Sequence, residues 1–312
     1  MMVRSNRFRQ WVGMVGAFSA AIACMVAPAS AAGYRTANFV IEAPTEPLAR
    51  KIGEAAEQYR HTLAVEWTGA PLPRWSRPCP ITAQVAPNLG AGGATSFVFD
   101  KGEVFNWTMT IQGSEERILD SVLPHEITHT IFASHFRQPL PRWADEGACT
   151  TVEHPVERAR QHRMLIEFLT TGRGIAFPDM FAMREYPPDV LPLYSQGYSL
   201  ARYLIERGGR HKYVAFVSDG LATDNWPSAL RKHYGMGDLA QLQQVWLAWV
   251  REGCPAPPAS LAAASPPAAT SWTPTARGQS PDTRPAAWPP ADGKPVATSA
   301  ARTSVYARGV SR

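Results

Sequence analysis

The stretch Leu123-Pro124-His125-Glu126-Ile127-Thr128-His129 holds two imidazoles four residues apart, with a carboxylate directly after the first. In a helix, four residues turn the chain through about 400°, so His125 and His129 share one face, about 40° apart and roughly 6 Å along the axis. Two imidazoles so placed can grip one Zn²⁺. Glu126, one residue along, stands beside such an ion, where it can take a proton from the ion's water. Ile127, Thr128, Ile131 and Phe132 make the segment partly buried. The competing reading is a pair of neutral core histidines. Glu126 weighs against it, because a buried carboxylate needs a partner.

A catalytic zinc takes three protein ligands and keeps a fourth position open. The third donor is sought in Leu140-Pro141-Arg142-Trp143-Ala144-Asp145-Glu146-Gly147. Residues 135–141 can turn the chain back, a second helix starts near Arg142, and its early Glu146 can face the histidines. Asp145 points about 100° away on that helix and is the weaker candidate; it reads more simply as an acid near a positive helix start.

These residues resemble the gluzincin metallopeptidases, and among them the small bacterial proteins described as peptidase-MA-like. The resemblance rests on His125-Glu126-x-x-His129 followed by Trp143-x-x-Glu146-Gly147. It follows element order over roughly residues 36–252 and is specific over 119–147. It implies a zincin-like fold, one Zn²⁺ per chain on His125, His129 and Glu146, Glu126 as general base, and a sheet whose edge strand lies along the cleft. It also implies an oxyanion-stabilising residue from a later helix, here Tyr194, with Tyr198 second. Two positions depart from the pattern. Many gluzincins carry an acid four residues after the ligand Glu, to orient a histidine; here that residue is Thr150, leaving Asp120 and Glu153 as candidates for the task. Aminopeptidases of the group place a carboxylate beside the cleft to read a free amino terminus. The strand body Val104–Met109 has none, which points to an endopeptidase.

The implied chemistry is peptide hydrolysis. Zinc lowers the pKa of its bound water to about 7. Glu126 takes that proton and passes it to the leaving amine, while metal and tyrosine share the developing charge. Backbone groups of strand 103–111 are expected to pair with an extended substrate. A catalytically inactive zinc-containing binding module of the cell envelope is the alternative. A third, weaker reading is an envelope scaffold in which the tail does the work. His154, His162, His211 and His233 show no ligand spacing among themselves and read as ordinary surface or core residues.

The elements that must position this constellation can be read from periodicity. Residues 36–42 read as a strand and Glu46–Trp67 as a helix with Leu48, Ile52, Ala55, Ala56, Tyr59 and Leu63 on one face. Ile81–Ala86 reads as a second strand and Gly90–Gly93 as a flexible turn. Thr95–Phe99 and Glu103–Ile111 form a hairpin around Asp100-Lys101-Gly102. After Gly113 helical patterns dominate to Gly253, opened by Ser114 as a cap. The fold class expected is α+β: an N-terminal small mixed β-sheet with a helix, then a mostly helical half carrying His125 and His129.

The two ends differ from this middle. Residues 1–31 read as a signal peptide: Arg4, Arg7 and Arg9, an apolar stretch from Trp11 to Val26, then Ala29-Ser30-Ala31. An uncleaved anchor would need about 20 apolar residues, and lipid attachment at Cys24 lacks the usual preceding Leu. Residues 32–254 are then the folded domain. From Pro255 to Arg312, Ala, Pro, Ser and Thr dominate, which predicts a disordered basic tail. The chain of 312 residues is 45 % hydrophobic and carries a formal charge of +5, but the excess sits in the ends and the middle is slightly acidic. No basic face for nucleic acid is expected. The mature chain has no second membrane-spanning stretch, and its partner is a peptide or protein substrate, with weak envelope contact through the tail. Location is expected to be extracytoplasmic, periplasmic or secreted. There Cys79, Cys149 and Cys254 allow one disulfide and leave one thiol over.

Overall fold

The computed structural model describes residues 32–183, 185–256 and 305–308. The expected signal peptide lies outside the described residues, as does the tail at 257–304 and 309–312.

The fold is α+β, a mixed sheet followed by a helical half. Strands β1 (Ala32–Arg35) and β2 (Phe39–Ala43) precede helix α1 (Glu46–Thr68); β3 (Cys79–Val85), β4 (Gly92–Asp100) and β5 (Glu103–Gly113) follow. Helix α1 buries Ile52, Ala56, Leu63 and Trp67 and stops at Gly69, whose positive φ of 83° lets its N–H close on Val65 O. That is the usual glycine termination of a helix. The sheet order is β1-β2-β3-β5-β4-β6, where β6 is Val305–Arg308. Four residues of the tail expected to lack regular structure therefore form a strand. Strands β2, β3 and β5 run parallel; β1 is antiparallel to β2 and β4 to β5, while β6 is parallel to β4.

This order corrects one expectation. Strand β5 is hydrogen-bonded to β3 on one side and β4 on the other, so it has no free edge for a substrate. A hairpin sequence shows which strands are adjacent but not which one the rest of the sheet covers. Strand β4 meets Glu126 through Thr95, which bonds to it, and the strand includes Gly92 and Gly93, two of the residues read as a turn.

The helical half runs from α2 (Glu115–Arg117) through a π turn (Ile118–Val122) into α3 (Leu123–Phe136), then α4 (Arg142–Thr151), α5 (Pro155–Thr170), α6 (Phe177–Ala182), α7 (Leu191–Thr223), α8 (Trp226–Tyr234) and α9 (Leu239–Arg251). Ser114 caps α2 as expected, accepting from Arg117 N. Helix α7 breaks at Gly209, whose φ of 77° and ψ of 169° lie outside helix space. An aromatic cluster holds α4 in place: Trp143 stacks on Phe181 at 4.2 Å and meets Trp226 edge-on at 5.8 Å, with Phe216 beside both. Fully burying side chains of this size contributes about 1.5–3 kcal/mol each. On another face of α4, Gly147 lies against the backbone of Gly197 in α7, and a Cβ on Gly197 would meet Trp143 O at 2.8 Å. Two glycines thus let α4 and α7 touch backbone to backbone.

Among the described residues Cys79, Cys149 and Cys254 are all buried free thiols. The expected disulfide is absent there: the three sit on β3, on α4 and beyond α9, and the Cys149 sulfur packs at His129 instead.

Candidate metal centre

Helix α3 presents His125, Glu126 and His129 towards β4 and α4, and each histidine is oriented from outside its own helix. His125 Nδ1 lies 2.7 Å from Glu153 Oε1, and His129 Nδ1 lies 2.9 Å from Asp145 Oδ1. A ring that donates Nδ1–H to a carboxylate keeps its Nε2 lone pair for a ligand. Both Nε2 atoms look towards one atom, Glu146 Oε2, at 3.5 Å from His125 and 3.8 Å from His129. Donors each about 2.0–2.1 Å from one tetrahedral ion stand roughly 3.4 Å apart, so these separations suit donors sharing an ion better than donors sharing a proton.

Burial and charge favour the same reading. His125, Glu126, His129 and Glu146 are all at most 1 % exposed. His125 Nε2 and Glu146 Oε2 are buried and make no hydrogen bond among the described residues, an arrangement that costs free energy unless something occupies the space between them. Glu126, Asp145, Glu146 and Glu153 are all buried around the two imidazoles. Such an acid-rich, dehydrated setting attracts a cation. His125, His129 and Glu146 could therefore hold a metal ion. A second donor set, His129, Asp145 and Cys149, also lies close enough. It uses His129 Nδ1, which Asp145 already engages, and it includes no donor left without a hydrogen bond.

Protonation follows from these contacts. Burial opposes charge on His125, but Glu146 and Glu153 outweigh it and its pKa is raised. Burial likewise opposes charge on His129, and Asp145, with Cys149 and Glu146, raises its pKa further. For Glu126, burial pushes the pKa up, against the pull of His129, His125 and the Thr95 hydroxyl. Thr95 Oγ1 donates to Glu126 Oε2 at 2.7 Å, leaving Oε1 without a hydrogen bond among the described residues. Strand β4 approaches this close only because residue 93 is glycine: a Cβ there would sit 2.6 Å from Glu126 Oε1.

The structure brings together His125, Glu126, His129 and Glu146 as the spacing predicted. It also assigns the residues that orient the rings. Glu153 holds His125, seven residues after Glu146 rather than four. Asp145, weighed as a ligand or a helix-start charge, holds His129. Asp120 accepts from the Ser121 hydroxyl instead. Of the expected tyrosines, Tyr198 lies where Arg202, Arg158 and Glu206 act on it. Tyr194 is buried, its ring 6.4 Å from that of Tyr186. Sequence reasoning missed Tyr186, whose hydroxyl donates to Glu146 Oε1 at 2.5 Å while Arg142 lies 4.4 Å over its ring. Burial and Glu146 push the Tyr186 pKa far up, so it stays a donor. No periodic signal marks Tyr186, because it stands outside any helix. In the sequence Thr95 and Gly93 read only as strand and turn; their packing on Glu126 gives them a role.

Among the described residues no helix is long and apolar enough to cross a membrane. No model of a known protein family matches this chain, and no curated protein matches it.

Proposed function

We propose that this chain is an exported zinc-dependent peptidase of the gluzincin type, acting as an endopeptidase. One observation carries the reading: His125 Nε2, His129 Nε2 and Glu146 Oε2 converge in a buried, acid-rich space, and two of the three make no hydrogen bond among the described residues. When bound there, Zn²⁺ would polarise a scissile carbonyl and make water more acidic. The chain's residues do the rest. Glu126 Oε1 takes the proton of the attacking water and carries it to the leaving amine. Thr95 holds the other oxygen and so aims the carboxylate. Tyr186 fixes the outer oxygen of Glu146, keeping Oε2 towards the histidines. Tyr194 is the proposed oxyanion donor. The role assigned to strand 103–111 passes to β4, which carries no acid from Gly92 to Phe99; this favours an endopeptidase over an enzyme that reads a free amino terminus. Export rests on the sequence of residues 1–31.

The test is Glu126→Gln beside the wild type. Both should carry about one zinc per chain by elemental analysis, and the variant should cleave a peptide library about 10²–10⁴-fold more slowly. Equal cleavage would remove Glu126 from the reaction. Tyr194→Phe should lower kcat more than KM if the hydroxyl meets the reacting carbonyl.

A second reading has its own observation. All three donors are at most 1 % exposed and Tyr186 already binds Glu146, and closed sites are typical of structural zinc. A zinc-containing binding module with no turnover predicts full metal content, no cleavage in either protein, and a fall in melting temperature on chelation.

A further inference from the structure

Strand β4 is bonded to β5 along one side. Along the other it pairs in parallel with β6, placing Ser96 opposite Val305, Phe97 opposite Tyr306, Val98 opposite Ala307 and Phe99 opposite Arg308. The same strand carries Gly93 and Thr95 against Glu126, so the pairing begins one residue from the group that aims the carboxylate. A sheet edge with unpaired N–H and C=O groups is the surface that takes up an extended peptide. Here the segment seated on it belongs to the chain itself.

The tail's composition suits only its end to this task. Residues 255–295 hold eleven prolines and residues 296–312 none. Proline cannot donate to a strand ladder, whereas Val305 and Tyr306 are strand formers. The 48 residues between Ala256 and Val305 span about 160 Å at full extension, ample for the segment to reach the edge of its own domain.

We propose that the C-terminal strand Val305–Arg308 occupies the peptide-docking edge of the candidate site, so that it and an extended substrate exclude each other at Ser96–Phe99. The nature of the competitor rests on the peptidase reading; the pairing of tail with edge does not. A strand tethered in this way acts at an effective concentration near the millimolar range, enough to hold a weakly binding segment in place most of the time.

The test uses the full-length chain and a full-length Val305→Pro/Tyr306→Pro double variant. Adjacent prolines remove a ladder donor whichever of the two faces β4. Amide hydrogen exchange over Ser96–Phe99 should speed up about three- to tenfold in the variant, while the melting temperature stays put. A synthetic peptide of residues 300–312 added to the variant should restore protection. If the peptidase reading also holds, the variant should cleave an extended peptide about three- to tenfold faster at low substrate, through KM rather than kcat. Faster exchange with no cleavage by either protein upholds the tail–edge pairing and sinks the peptidase reading. Unchanged exchange at Ser96–Phe99 overturns the proposal whatever the cleavage result.

Discussion

Three histidine–carboxylate contacts of similar length fall into two opposite settings, one on the surface and two in the interior. On the helical surface, His233 Nε2 and Lys232 Nζ both lie 2.6 Å from Asp219 Oδ2, and Asp219 is 37 % exposed. That contact is open to solvent, and the two basic side chains answer the acid. At the candidate site, His125–Glu153 at 2.7 Å and His129–Asp145 at 2.9 Å are buried, and the acids outnumber the rings. The difference shows that a short histidine–carboxylate distance means little by itself. What marks the buried pairs is that the far nitrogens converge on a third carboxylate oxygen, Glu146 Oε2, in a space closed to solvent.

That contrast can be tested from both sides. The largest effect should come from His129→Ala, which removes a donor to the ion: zinc content by elemental analysis should fall from about one per chain to near zero, and full retention would dissolve the proposed centre. Next in size, Trp143→Ala removes the aromatic anchor of the helix that carries Glu146, and should cost about 3–5 kcal/mol in chemical denaturation. Asp145→Asn and Glu153→Gln leave the donors in place but loosen the rings. Each should weaken zinc affinity about 10–100-fold in a chelator competition, whereas Asp219→Asn should not change it. A loss in the Asp219 variant as large as in the other two would mean that the buried and exposed contacts do not differ in their relation to the ion.

The smallest effect is on stability at the exposed pair. Lys232, with His233, pulls the Asp219 carboxyl below its ordinary range. A depressed folded-state pKa contributes stability above the unfolded value of about 3.9, and that contribution is lost as pH falls through the lower folded value. The small deficit in melting temperature of Asp219→Asn at neutral pH should therefore vanish in acid. A deficit that persists in strong acid would mean Asp219 acts by something other than its charge.

Much of this molecule was legible before its structure, and for an identifiable reason. Helix α1, the hairpin of β4 and β5, the cap at Ser114 and the placing of His125, Glu126 and His129 on α3 all follow from contacts within a few residues. Glu146 was also legible, because the turn between α3 and α4 is short. The orienting acids were legible only in part: Glu153 stood beside Asp120 as a candidate, with nothing in the spacing to choose between them. Asp145 sits next to Glu146 on α4, and only the crossing of α4 with α3 makes it a partner of His129. Glu153 reaches His125 across 28 residues, Thr95 reaches Glu126 across 31 and Tyr186 reaches Glu146 across 40. The disulfide expectation failed similarly, since counting thiols says nothing about where β3, α4 and the end of α9 lie.

The amino-acid sequence by itself determined the fold class, the helix that presents two imidazoles on one face, and the carboxylate that follows the first, because helix geometry relates residues three and four apart without help from the rest of the chain. Tertiary structure alone decided which acids hold the rings, which strand passes over Glu126, and that β4 rather than β5 lies towards the sheet's edge. Those relations depend on how α3, α4 and the sheet pack, and packing is set by the shapes of buried side chains such as Trp143, Trp226 and Phe216 and by glycines small enough to let backbones meet.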